Sequence, residues 1–198
     1  MPPIEGFKLD EPVVGFRTWY TKPIILPFCL SLVDQDTYED YCECPPGLYP
    51  MSNKGMWNKG VNEAVCKGME GAVGILPEPH TSPHWNCLCG LHANFNYKSH
   101  EKMLWGVFGG AMIDGAILMW GEMYAGENVI RAQYAEPLAV VAENDEERKI
   151  AEEFGIPGCA SYDEMKYVAT EQYSPMPSDV YHSLCKITQA NAKLKLDT

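Results

Sequence analysis

Cys87-Leu88-Cys89-Gly90, with Cys66 upstream and His80 and His84 between them, holds the residue types and spacing best suited to chemistry. Thiolate and imidazole are the donors zinc prefers, and a closed structural site takes four of them. Cys87 and Cys89 can both face one ion only where the backbone turns sharply, and Gly90 permits such a turn. Cys66 and His80 are the most economical remaining pair, giving Cys-x13-His-x6-Cys-x-Cys. His84 competes with His80, and Cys42-Glu43-Cys44 could complete a four-cysteine site instead. The plain alternative for Cys66, as for Cys29, is a small buried hydrophobe.

A catalytic zinc would keep one position open and have a carboxylate nearby as base. The nearest acids are Glu63, Glu70 and Glu78, none of them in a His-Glu-x-x-His or His-x-Glu…Pro-Cys-x-x-Cys setting. Four protein donors can close the shell without water. The expectation is one structural zinc, with the segment 66–90 loosening when it is removed.

Other residues invite weaker readings. Arg131, inside an apolar strand near Trp120 and Tyr134, could bind a carboxylate or phosphate through its planar fork. Its plainer role is to pair with a buried acid or carbonyl, or to stack on an aromatic ring. Arg17, between Phe16 and Trp19, has the same two readings. A cleft around Arg17, Trp105, Trp120 and Arg131 is the enzyme alternative. Asp34, Asp36, Glu39 and Asp40 do not follow a calcium-loop pattern and read as a solvated acidic loop. Asp114, beside Gly115, reads as a hairpin turn residue. Cys159, Cys185 and His182 read as packing residues, the last two on one face of a helix, and the ten Met residues as core filling. No Gly-x-Ser-x-Gly, Walker or Gly-x-Gly-x-x-Gly sequence occurs.

The elements that must position these groups are legible in outline. Val13 to Tyr20 and Ile24 to Leu30 read as strands, the second interrupted by Pro27. Residues 44–90 are rich in Gly, Pro, Asn and Cys, and an irregular stretch of that length needs a restraint such as a metal. From Met103 to Glu143, apolar runs at 104–108, 116–121, 129–134 and 138–141 predict an antiparallel meander. Asn144 caps a helix ending near Gly155, Ser161 caps a second, and Asp179 to Leu194 forms a third.

Composition bounds the function. The 198 residues, 46% apolar, with eleven Tyr and five Trp, can build a core. Fifteen basic against 27 acidic residues give a net charge of −12, which argues against nucleic-acid binding. An acidic mimic of DNA would need carboxylates spaced like phosphates along one face. Nothing approaches a membrane-spanning run of about 20 apolar residues. Met1-Pro2-Pro3-Ile4-Glu5 lacks the features of a secretory signal, so the eight cysteines read as reduced and the protein as cytoplasmic.

The stretch His80-Thr-Ser-Pro83-His-Trp-Asn-Cys87-Leu-Cys89-Gly90-Leu-His-Ala93 resembles the His-x-x-Pro…Cys-x-Cys-Gly-(Ile/Val)-(Tyr/His)-Ala core of an uncharacterised family of actinobacterial and phage hypothetical proteins. Gly15-Phe16-Arg17 with Trp19, then Trp57, Gly60, Ala64 and Cys66, are similar to it in the same order. So are Trp120-Gly121, Arg131-Ala132…Ala135-Glu136-Pro137 and Ile150 to Pro157. The resemblance spans residues 15–157, departing in the acidic stretch 34–43 and the helical tail after 158. It implies Cys66, His80, Cys87 and Cys89 as the ligand set over His84 or Cys42 and Cys44. It brings no activity with it.

The expected architecture is α+β: an antiparallel, partly barrel-like sheet crossed by a zinc-pinned irregular segment, with C-terminal helices packed on it. Residues 1–143 form the β-rich domain, carrying the zinc segment 66–90, and 144–198 form the helical extension. The expected function is a small zinc-stabilised binding protein acting through protein contacts, with a phage or mobile-element origin. The acidic loop and the helices are its expected contact surfaces.

Overall fold

Apolar runs that do not alternate strictly with polar residues suit strands buried on both faces. In a computed structural model, which describes residues 7–22, 46–50, 56–66, 80–84, 87, 89–94, 112–126 and 129–196, the long strands have that character. They are β1 (Phe7–Tyr20), β4 (Met112–Ala125) and β5 (Val129–Val141), joined by the short β2 (Asn62–Glu63), β3 (Leu91–Asn94) and β6 (Gly158–Cys159). Ile24 to Leu30, the acidic stretch 34–43, Cys42, Cys44, Leu104 to Phe108 and Trp105 lie outside the described residues.

Along β1, Val13 and Trp19 enter one apolar cluster, while Val14 and Phe16 enter another on the opposite face. In β4, Ile113, Ile117, Met119 and Met123 join the first cluster, and Ala116 and Leu118 the second. Both sides of the sheet are therefore core.

β1 pairs antiparallel with β4, β4 with β5, β5 with β3, and β3 with β1. The pairings form a ring of strands whose β3–β1 side rests on one registered pair, Phe16 with Asn94. β2 lies on β5 at Asn62 and Glu63. The expected antiparallel sheet is present, with one parallel addition: β6 lies along the end of β5.

Residues 129–141 form one strand rather than the two expected. Pro137 stands opposite Ile117, next to a register irregularity between Ala116 and Ile117, so its missing N–H falls where the ladder is already interrupted. A second irregularity lies between Trp120 and Met123, where Gly121 takes a φ of 82°. That left-handed backbone is one glycine adopts without strain. Asp114 is not a turn residue: it lies in β4 opposite Thr18, whose hydroxyl donates to its carboxylate.

Three helices follow among the described residues: α1 (Asp145–Phe154), α2 (Tyr162–Gln172) and α3 (Ser178–Leu196). Ile150, Ala151 and Phe154 of α1 and Tyr181 and Leu184 of α3 share the first cluster. Met165 and Ala169 of α2 share the second with Cys159 of β6. No helix of the described residues is long and apolar enough to cross a membrane.

Candidate metal centre

Cys66, just after β2, meets His80, Cys87 and Cys89, which precede β3 without belonging to a strand or helix. The cysteine sulfurs and a ring nitrogen of His80 all lie within 4.8 Å of one another. Cys66 Sγ is 3.7 Å from Cys87 Sγ, and His80 Nε2 is 3.4 Å from Cys89 Sγ. A tetrahedral ion with ordinary zinc bond lengths sets sulfurs about 3.8 Å apart and nitrogen and sulfur about 3.5 Å apart. The four donors therefore fit a single four-coordinate metal and could hold one.

Local backbone makes the convergence possible. The Cys87 N–H donates to the His84 carbonyl at 3.1 Å, closing a turn before the first thiol of the pair. Gly90 follows the second thiol with a φ of 125°. A Cβ there would sit 3.0 Å from Arg131 Cβ and 3.1 Å from Pro83 Cβ. The glycine is required both by its dihedral and by the closeness of the sheet.

The two thiols of the pair differ in setting. Burial pushes Cys89 up to about 11, although the Ser82 hydroxyl beside it and the His84 backbone act the other way. Ser82 is itself buried, and its hydroxyl lies near that sulfur without completing a hydrogen bond. Burial also raises Cys87, but the Cys89 backbone N–H and contacts from Cys89, Cys66 and His80 outweigh it, leaving the thiol below its ordinary value. Amide donation of this kind stabilises a thiolate.

His84, the competitor for His80, is not in the donor cluster. It stacks on the His80 ring at 4.4 Å between centroids, 29° from parallel. Burial first, and then the charge of His80, hold its pKa below the ordinary value, against an upward pull from Glu122.

Arg131 ties the loop to the sheet. It stands opposite His92 on β3 and Tyr124 on β4, so the three share a face. Its Nη1 donates to the Cys87 carbonyl and lies 3.4 Å from the His84 carbonyl and 3.3 Å from that of Cys89. Its guanidinium carbon lies 5.6 Å from the centroid of the Tyr124 ring, and the Tyr124 hydroxyl donates to Glu122 at 2.9 Å. Three thiolates and a neutral imidazole around a divalent ion would carry one net negative charge. A buried guanidinium at the loop's carbonyls is placed to balance it.

The other residues singled out from the sequence have separate partners. Arg17 donates to the His92 carbonyl and lies over the Trp57 ring. Trp120 stacks on Tyr134, with centroids 5.9 Å apart, and packs against the second cluster. Cys159 is buried in that cluster, and Cys185 donates to the Gly126 carbonyl at 3.4 Å. His182 contacts Ser178 one turn back along α3. Ser82, Tyr124, Glu122 and the three loop carbonyls were missed in the sequence, since no residue type announces a carbonyl acceptor.

No family model matches the chain, and neither does any curated protein or solved structure with which it was compared.

Proposed function

We propose that this is a zinc-stabilised binding protein in which Cys66, His80, Cys87 and Cys89 hold one structural zinc. The observation that supports the reading is the donor geometry: four protein donors within 4.8 Å of one another, with one sulfur–sulfur and one nitrogen–sulfur pair at the separations a tetrahedral zinc sets. With four protein donors no position is left for a reacting water, so the ion's work is to fasten chain. It fastens the segment after β2 to the entry of β3, two places more than 20 residues apart in sequence. The ring of strands then behaves as a partly barrel-like scaffold for binding, and protein contacts are the use that its acidic surface suits best.

Metal analysis of protein purified without added metal tests this. One equivalent of zinc is expected, falling to near zero in Cys89→Ser. Cobalt in its place should give the intense visible absorption of tetrahedral thiolate coordination. Less than half an equivalent of any transition metal, unchanged by Cys89→Ser, contradicts the reading.

A further inference from the structure

Cys66 and Cys87 are 21 residues apart in sequence, yet their sulfurs lie 3.7 Å apart. A disulfide sets its sulfurs at about 2.05 Å, so a closure of roughly 1.6 Å would join this pair directly. Both thiols are half-buried rather than enclosed, within reach of a molecule as small as a peroxide. Of the other cysteines among the described residues, Cys159 is buried in the second apolar cluster, and Cys185 donates from α3 to the Gly126 carbonyl. Cys89 has His80 Nε2 at 3.4 Å. A bridge from Cys87 to Cys89 would have to close over a single residue, at a cost in ring strain.

Within the Cys66–Cys87 pair, Arg131 stands beside Cys87. Its guanidinium donates to the Cys87 carbonyl, and its charge reaches the Cys87 sulfur. Positive charge beside a thiol favours the thiolate, which is the form a peroxide oxidises. We propose that the centre is a redox switch, in which hydrogen peroxide converts the Cys66 and Cys87 thiolates to a disulfide and the metal is released. This rests on the zinc reading above and names the regulation of that site.

The chemistry runs in two moves. The Cys87 sulfur attacks one peroxide oxygen and the O–O bond breaks; the sulfur, oxidised by two electrons, becomes a sulfenic acid as hydroxide leaves. The Cys66 sulfur then attacks the Cys87 sulfur, the S–S bond forms, the S–O bond breaks, and a second hydroxide leaves. The peroxide is reduced, the thiolate pair is oxidised, and protons from solvent turn both hydroxides into water. The bridge removes Cys66 and Cys87 from the donor set and leaves His80 and Cys89, too few to close a structural zinc shell. Residue 66 stays fastened to residue 87, while His80 and Cys89 lose their common ion. Exchange with a thiol reductant reverses the bridge and restores the donors.

The test treats the full zinc-loaded chain with hydrogen peroxide, against a peroxide-free control. Zinc is followed with a chromophoric chelator, free thiols with a thiol-reactive dye, and bridges by peptide mapping without reduction. Bound zinc should fall from one equivalent to near zero, with about two thiols lost per zinc released, both in a Cys66–Cys87 peptide pair. Dithiothreitol with added zinc should restore the starting content. Cys66→His keeps a zinc donor but removes the resolving thiol, so peroxide should leave Cys87 as a sulfenic acid trapped by dimedone, with no bridge. Wild-type zinc that stays bound in peroxide overturns the proposal whether or not the variant folds. Release without a bridge, a bridge between Cys87 and Cys89 or through Cys29, Cys42 or Cys44, or a loss that dithiothreitol and zinc do not reverse overturns it too. The two readings fail separately: protein purified without zinc sinks the metal assignment, and zinc-loaded protein that forms no Cys66–Cys87 bridge sinks this one.

Discussion

Arg131 shows how a side chain can shape a metal site without touching the metal. Its guanidinium reaches the carbonyls of His84, Cys87 and Cys89, while its neighbour across the strands, Tyr124, supplies a ring face. Removing such an outer partner typically costs about 10- to 100-fold in metal affinity. Arg131→Met should therefore release zinc to a chromophoric chelator about 10- to 100-fold faster than wild type. Arg131→Lys, which restores charge without the planar fork, should fall between them. Equal release rates in all three would show that the loop holds itself. The two arginines of the sheet thus have different duties. Arg131 spends its donors on the loop, whereas Arg17 holds the His92 carbonyl and stacks on Trp57, with its Nε enclosed.

At the scale of elements, local sequence rules governed the helices and tertiary packing governed the strands. Asn144 accepts the Glu147 N–H at 3.0 Å, and the Glu147 carboxylate accepts the Asn144 N–H at 3.2 Å, a reciprocal capping box. Gly155 ends the same helix at a φ of 69°. Asn144→Ala should cost about 1 kcal/mol, read as a lowered midpoint in urea with an unchanged slope. A loss below a few tenths would mean that burial of Ile150 and Phe154 alone fixes the helix start. Ser161 caps the second helix by accepting the Glu164 N–H, as its sequence indicates. The strands were harder to read. Continuity through Pro137 depends on an irregularity in the pairing with β4, a relation between residues 20 apart that local pattern does not contain. Asp114 beside glycine looks like a turn, yet Thr18 on β1 holds it within a strand.

For the whole molecule, the two apolar clusters should fold without the metal, because neither contains the four donors. Chelation should therefore loosen the metal loop and leave the sheet in place. Hydrogen exchange followed by mass spectrometry is expected to show faster exchange in 80–94 after chelation, with β4 and the core of β5 still protected. Uniform loss of protection would instead make the metal a condition of folding. β6 gives this core its reach: the chain leaves β5, forms α1, and returns parallel beside Val140 and Val141. The helical tail is thereby built into the sheet rather than hung from it.

The sequence by itself determined the donor types, their spacing and the need for Gly90, because metal preference and backbone dihedrals are properties of residues and short peptides. It also determined the helix caps, which are satisfied within four residues. Only the tertiary structure decided between His80 and His84, since that choice rests on which ring the turn at 84–87 leaves facing the sulfurs. Only it gave Arg131 its three carbonyls and Arg17 the His92 carbonyl and the Trp57 ring. Those arrangements arise where β3 brings β1 and β5 together, and contacts across strands distant in sequence have no local signature.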